Sequence, residues 1–166
     1  MELSPVFQTR IKHKGIFDFK EGYQFLWDFF QDYQYLVIEK KYEEKVGAFG
    51  KDLEIVWSCL KKINDYFRFN VSITWRPNSL TEVEVQEDGK KVKKNKGTFD
   101  VIIKANLERD YENRWEENVF KRFLRNLYDR YIIKSRTEFY EQKLAEEMAE
   151  AAAQLKSLLV LEGKLD

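Results

Sequence analysis

The sequence predicts an α+β protein in which a strongly curved antiparallel sheet of about seven strands wraps around long C-terminal helices. Three observations predict it. Apolar residues alternate with a period of two from about residue 34 to 110, a helical period returns after residue 113, and short turns join the strands, as in antiparallel sheets. The 166 residues, 43% of them hydrophobic, fit one domain spanning 1–166, with 135–162 as a C-terminal helical extension.

A strand over 6–13 and one helix open the chain. Asp18 and Glu21 have the spacing of a capping box. One face of the following helix carries Tyr23, Leu26, Trp27 and Phe30. Gly22 weakens this helix by about 1 kcal/mol relative to Ala. Burial of the aromatic face is therefore expected to hold the helix in place.

The strands that follow alternate clearly. The segment 34–46 is the first, and in 53–63 the residues Leu53, Ile55, Trp57, Cys59, Lys61 and Ile63 share a face. The alternation in two further predicted strands, 67–75 and 99–107, places ten residues on one buried sheet face: Phe67, Phe69, Val71, Ile73, Trp75, Phe99, Val101, Ile103, Ala105 and Leu107. Between them Asp88-Gly89 predicts a hairpin with a type I′ turn, and Asn95-Lys96-Gly97 a second turn before the last strand.

Five lysines between 90 and 96 allow two interpretations. They could contact phosphates, or they could protect an edge strand against pairing with another sheet. Glu82, Glu84 and Glu87 lie on the opposing strand and can pair with them. No aromatic residues are interleaved to stack on bases. The edge-strand interpretation is favoured, and nucleic-acid binding is not predicted.

A segment rich in apolar and basic residues begins the helical C-terminal region. Asn113 and Glu116 have capping spacing, and a wide apolar stripe follows: Trp115, Val119, Phe120, Phe123, Leu124, Leu127, Tyr128, Tyr131 and Ile132. We expect this helix to close the core, with Trp115, Phe123 and Leu127 buried; the alternative is a surface that grips a membrane or a partner. Ser135 and Glu138 predict a restart near 133–137.

The C-terminal charges are segregated. Six basic residues and Asp129 give 121–136 a net charge of +5, whereas five glutamates and Lys143 give 138–150 a net charge of −4. This pattern suits an antiparallel pairing or a partner with a complementary surface.

Signatures of catalysis and cofactor binding are scarce. His13 and Cys59 are the only residues of their types, too few for a zinc site built from nitrogen and sulfur ligands or for an internal disulfide. Nucleotide and hydrolase motifs are absent, as is any apolar stretch of transmembrane length. The 29 acidic residues balance the 29 basic ones. A non-catalytic, cytoplasmic protein without a cofactor is expected.

The order of elements resembles that of the START-like, helix-grip (SRPBCC) superfamily of lipid-binding proteins, polyketide cyclases and pollen-allergen-type proteins. The resemblance lies in element order and departs in the single helix after the first strand and the interrupted last helix. It implies a pocket between the sheet and the C-terminal helix.

Two functions follow as expectations. In the first, a binding module encloses an apolar or amphipathic small molecule, with the ligand-binding residues Trp57, Lys61, Phe69, Trp75, Phe99, Phe123 and Leu127. In the second, a structural or interaction protein docks a partner or another copy of itself through the charged helix 135–162. An internal cavity of about a few hundred Å³ would favour the first, and an exposed apolar patch on the last helix the second.

Overall fold

The computed structural model describes residues 1–113, 118–131 and 133–163. Its elements are β1 (Glu2–Phe17), α1 (Phe19–Asp32), β2 (Leu36–Gly47), β3 (Gly50–Lys62), β4 (Phe67–Trp75), β5 (Asn78–Glu87), β6 (Lys90–Arg109), α2 (Val119–Tyr131) and α3 (Lys134–Gly163). All observed strand pairs are antiparallel. The predicted α+β class is confirmed.

The sheet is organised around β6, a strand of 20 residues. The strands follow the order β1-β6-β4-β3-β2. On one side β6 pairs with β1 from Asn95 to Arg109; on the other it pairs with β5 through its first half and with β4 through its second. The ends of β1, β4 and β6 that meet at Glu2, Phe67 and Arg109 lie beside the C-terminal helices.

The described residues form six strands, where the sequence predicts about seven. The difference arises at Gly97, which was expected to end a strand but instead lies within β6 with φ +155. A Cβ there would lie 2.6 Å from the carbonyl oxygen of Ser79, so only glycine lets β5 approach β6 this closely. Asn95-Lys96-Gly97 therefore continues the ladder.

One face of the sheet forms the core. All ten residues predicted for it on β4 and β6 are buried, which confirms the alternation. The helices contribute the apolar side chains Leu26, Phe29, Phe30, Leu144, Met148, Ala151, Ala152, Leu155 and Leu159. The core thus lies between the sheet and two of the helices, α1 and α3.

Helix α1 begins as predicted. The backbone N–H of Glu21 donates to Oδ1 of Asp18 at 3.1 Å. Gly22 is buried, and a Cβ there would lie 3.2 Å from the ring of Phe99 on β6. Gly22 lowers helix propensity, but it allows the helix to lie close to the sheet.

The C-terminal helices are separated as predicted. Helix α2 ends at Tyr131 and α3 begins at Lys134. The predicted cap Ser135 is wrong, because Ser135 lies inside α3, where the N–H of Thr137 donates to the carbonyl oxygen of Ile133 at 2.9 Å. Helix α3 runs for 30 residues and packs against β1, β6 and α1. The long C-terminal helix therefore covers the sheet.

The β5–β6 hairpin has the predicted turn, with φ 52 at Asp88 and φ 77 at Gly89. Lys94 is buried, and its ammonium lies 3.5 Å from Glu87 and 3.9 Å from Asp18. This lysine joins the hairpin to the start of α1. It is therefore not part of a solvent-facing phosphate surface.

Candidate functional site

The aromatic residues predicted to bind a ligand pack against one another. Trp57, Phe69, Trp75 and Phe99 are fully buried. The ring centroids of Trp57 and Trp75 lie 5.2 Å apart, and those of Trp75 and Phe99 lie 5.8 Å apart. Tyr23 adds an edge-on contact to Trp57 at 4.7 Å. Ring contacts therefore occupy this part of the interior, and ligand binding by these residues stays a prediction.

Lys61, the predicted polar anchor, belongs to a buried polar cluster. Its ammonium lies 3.4 Å from Oε1 of Glu147 on α3, and the hydroxyl of Tyr35 donates to Oε2 of the same carboxylate at 2.9 Å. The ammonium also lies 5.9 Å from the ring centroid of Phe69. Burial, reinforced by the Glu147 charge, raises the pKa of Tyr35 far above its ordinary value. The cluster connects β3 and the residue before β2 to α3.

Glu147 is not among the site residues predicted from the sequence, where it contributes only to the net charge of −4 of segment 138–150. The signal was present, because Glu147 lies three residues after Leu144 and four before Ala151, on the apolar stripe of α3. A carboxylate on such a stripe needs a buried cation or donor. Lys61 and Tyr35 supply both.

Helix α2 differs most from expectation. Phe123 is 60% exposed and Leu127 is 43% exposed, so the prediction that they are core residues is wrong. Together with three neighbours they form what we call the α2 face: Val119, Phe120, Phe123, Leu127 and Tyr131. At roughly 3.6 residues per turn these positions cover about 120° of the helix circumference. The apolar side of α2 is turned to solvent. Trp115, the third predicted core residue, lies outside the described residues.

The opposite, polar side of α2 contacts the body of the protein. Arg125 is only 8% exposed, and its guanidinium lies 3.0 Å from Oε1 of Glu2 and 3.8 Å from Oδ2 of the buried Asp110. Arg109 approaches the other oxygen of Glu2 at 2.8 Å. Two arginines and two carboxylates thus fix this side of the helix to the ends of β1 and β6.

Apolar contacts on this inward side are fewer. The ring of Tyr128 packs edge-on against Tyr66 with centroids 5.7 Å apart, and Leu124 is half-buried. Ile133, between the helices, is buried. The wide apolar stripe predicted from the sequence is therefore divided, and of its described side chains a minority face inward.

The start of α2 also differs from expectation. Asn118 caps the helix, accepting from the N–H of Lys121 through Oδ1 at 2.8 Å. Asn113, the predicted cap, has φ 57 and accepts a 2.6 Å hydrogen bond from the amino group of Met1. Asn113 therefore holds the N-terminus of the chain.

Exposed cations accompany the α2 face in the sequence. Arg122 and Arg130 lie on α2, and Lys134 and Arg136 follow on the first turn of α3. The guanidinium of Arg130 lies 5.4 Å from the ring centroid of Tyr131. An outward apolar surface accompanied by exposed cations can bind an amphipathic, negatively charged surface.

An open cleft of about 570 Å³ adjoins the α2 face. Six of the described residues line it: Glu2, Arg109, Asn126, Arg130, Tyr131 and Lys134. They come from β1, β6, α2 and α3. Tyr131 belongs to both the cleft and the α2 face.

Within residues 1–113, 118–131 and 133–163, no group of three or more His, Cys, Asp or Glu residues could hold a metal ion. None of the helices in the same part of the chain has the length and apolar content to cross a bilayer. Cys59 is buried, which raises the pKa of its thiol to about 12 and disfavours the thiolate.

Comparison of the chain with protein-family models, with curated proteins and with solved structures finds no significant match.

Proposed function

We propose that this protein is a non-catalytic module that docks on an anionic lipid surface through the α2 face. The observation that carries the proposal is the orientation of α2, whose apolar side faces solvent while Arg125 fixes its polar side to Glu2 and Asp110. Exposing this face in water is unfavourable. A partner that covers it would remove that cost.

Charge and shape favour a lipid surface over a protein partner. Besides Arg125, which is buried against Glu2 and Asp110, residues 118–137 contain five basic residues and one carboxylate, Asp129. Each Lys or Arg near an anionic membrane contributes about 1 kcal/mol to binding. The α2 face is a convex helical ridge of about 20 Å, and lipids accommodate such a ridge without a preformed groove.

The enclosed ligand pocket implied by the START-like resemblance is not the function we propose. Trp57, Trp75 and Phe99, which would line it, contact one another across their rings. The α2 face, in contrast, is a set of apolar side chains that are each at least 43% exposed. It therefore offers a binding surface without any rearrangement of the core.

Flotation with lipid vesicles tests the proposal. Wild-type protein should float with phosphatidylcholine vesicles containing phosphatidylglycerol, should remain unbound with phosphatidylcholine alone, and should dissociate as salt is raised. The double variant Phe123→Ser, Leu127→Ser should lose flotation while its melting temperature stays close to that of the wild type, because both side chains are exposed.

A matched control exists at the far end of the sheet. Val46 near the end of β2 and Phe49 in the β2–β3 turn are 83% and 85% exposed. The double variant Val46→Ser, Phe49→Ser should float like the wild type. Flotation lost in this control and retained in the α2 variant would contradict the proposal. So would a dimer that dissociates in the α2 variant with no vesicle binding, because it would assign the face to a second copy.

A further inference from the structure

We infer that the cleft between α2 and α3 is a phosphate-binding site and that, on the docked protein, it takes the phosphomonoester headgroup of an anionic lipid. The lipid part of this inference rests on the proposed membrane docking. The shared chemistry, a doubly charged phosphate held by cations, applies equally to a soluble phosphate.

The cleft collects cations from three separate elements. Arg109 extends from the end of β6, Arg130 from α2 and Lys134 from the start of α3. Among the described residues that line the cleft, Glu2 is the one carboxylate, and it lies within 3.0 Å of both Arg109 and Arg125. Its charge is thereby compensated, which leaves the cleft with a positive surplus.

The donors suit a phosphate. Within the described part of the chain, Arg130 and Lys134 make no ion pair, and both are exposed. Arginine offers a planar pair of N–H groups that matches two phosphate oxygens, and lysine adds a mobile point charge. The Asn126 amide also lines the cleft and can donate to a third oxygen. A phosphomonoester carries about −1.5 to −2 charges at pH 7 and uses all of these donors.

The position of the cleft relates it to a lipid. Tyr131 forms one wall of the cleft and is also a member of the α2 face. A headgroup held in the cleft would therefore have its acyl chains beside the apolar ridge. The volume of about 570 Å³ exceeds the needs of a bare phosphate and falls within the usual range of small-molecule sites. An amphiphile with a phosphate-bearing polar headgroup fits both surfaces at once.

Vesicles of equal surface charge separate this inference from simple charge attraction. One set carries phosphatidylglycerol and the other carries phosphatidic acid, with the fractions adjusted to match the surface potential. Wild-type protein should partition at least about fivefold more strongly onto phosphatidic acid, the gain expected from one added cation contact. Arg130→Gln and Lys134→Gln should each remove this preference and keep residual binding to phosphatidylglycerol.

Arg136→Gln is the matched control, because it removes one exposed positive charge from α3 outside the cleft lining. It should weaken binding to both lipids equally and leave the preference intact. If Arg130→Gln and Lys134→Gln behave like this control, the cleft does not select phosphate. The inference is then overturned, whereas docking through the α2 face still stands.

Titration with inorganic phosphate tests whether the cleft binds a soluble phosphate. Binding is monitored through the side-chain NMR signals of Arg130 and Arg109. Saturable shifts that disappear in Lys134→Gln would support a phosphate site even if no vesicle binds. Failure of all vesicle binding would overturn the proposed docking. The absence of saturable shifts together with the absence of any lipid preference would overturn the phosphate site.

Discussion

Helices α1 and α2 are nearly equal in length and both strongly amphipathic, yet they present opposite sides to the protein. Helix α1, of 14 residues, buries Leu26, Phe29 and Phe30 beneath the sheet face. Helix α2, of 13 residues, turns the five residues of the α2 face to solvent, Phe120 and Phe123 among them. An amphipathic pattern specifies that one side of a helix is apolar. It does not specify what that side contacts.

Contacts with the rest of the protein determine which side of each helix faces inward. On the apolar side of α1, Gly22 removes a side chain and lets the helix approach the ring of Phe99. On α2, Arg125 reaches Glu2 and the buried Asp110, and a guanidinium in that position directs the polar side inward. Burying this charge without its partners would cost more than leaving the α2 face in water.

The largest expected effect compares two phenylalanines. Phe30→Ala on α1 should lower the free energy of unfolding by about 3–5 kcal/mol, because a fully buried ring is lost and a cavity remains. Phe123→Ala on α2 should lower it by less than about 1 kcal/mol, because the side chain is already exposed. Urea denaturation of both variants measures the difference. Equal losses would show that α2 buries its apolar side as α1 does.

A second variant tests the inward side of α2. Arg125→Met should weaken the attachment of α2 by about 3 kcal/mol, because the buried Asp110 carboxylate loses a cation. Hydrogen exchange should accelerate in the amides of α2 and stay slow in those of α1. Arg122→Met, on the exposed surface of the same helix, is the control and should change exchange little. Equal acceleration in both variants would mean that Arg125 does not anchor the helix.

The smallest effect concerns the close approach of α1. Gly22→Ala would gain about 1 kcal/mol in an isolated helix. Here its Cβ would lie 3.2 Å from the buried Phe99 ring, so we expect a net loss of about 1 kcal/mol from overpacking. A double-mutant cycle with Phe99→Leu should show coupling between the two positions. A stabilised Gly22→Ala variant would indicate that the helix can move away from the sheet at no cost.

Much of the sheet could be predicted from the sequence, because alternation and turn chemistry are local signals. The ten buried residues of β4 and β6 and the Asp88-Gly89 turn follow directly from them. The continuity of β6 could not be predicted, since it depends on the contact between Gly97 and Ser79 in another strand. A strand count read from local turns therefore exceeds the observed one.

The candidate site was harder to predict for the same reason. The apolar stripe on α2 is wide enough for more than one of its sides to face the protein. Which side does so depends on the contacts of Arg125 with Glu2 and Asp110, which are distant from it in the sequence. No periodicity carries that information. The segregated basic charge at 121–136 predicts a surface for a complementary partner, and this stays a prediction; four of these cations are exposed.

One measurement tests the central claim that the α2 face points outward and docks on lipid. Phe123→Cys, in a Cys59→Ala background, would carry an environment-sensitive fluorophore, with Gln86→Cys on the distant β5 as the control position. We predict that the fluorophore at position 123 emits as in water when the protein is in solution and shifts to the emission typical of an apolar environment with anionic vesicles. The fluorophore at position 86 should emit as in water throughout. Apolar emission at position 123 before any lipid is added, or emission as in water after vesicles are bound, would contradict the account.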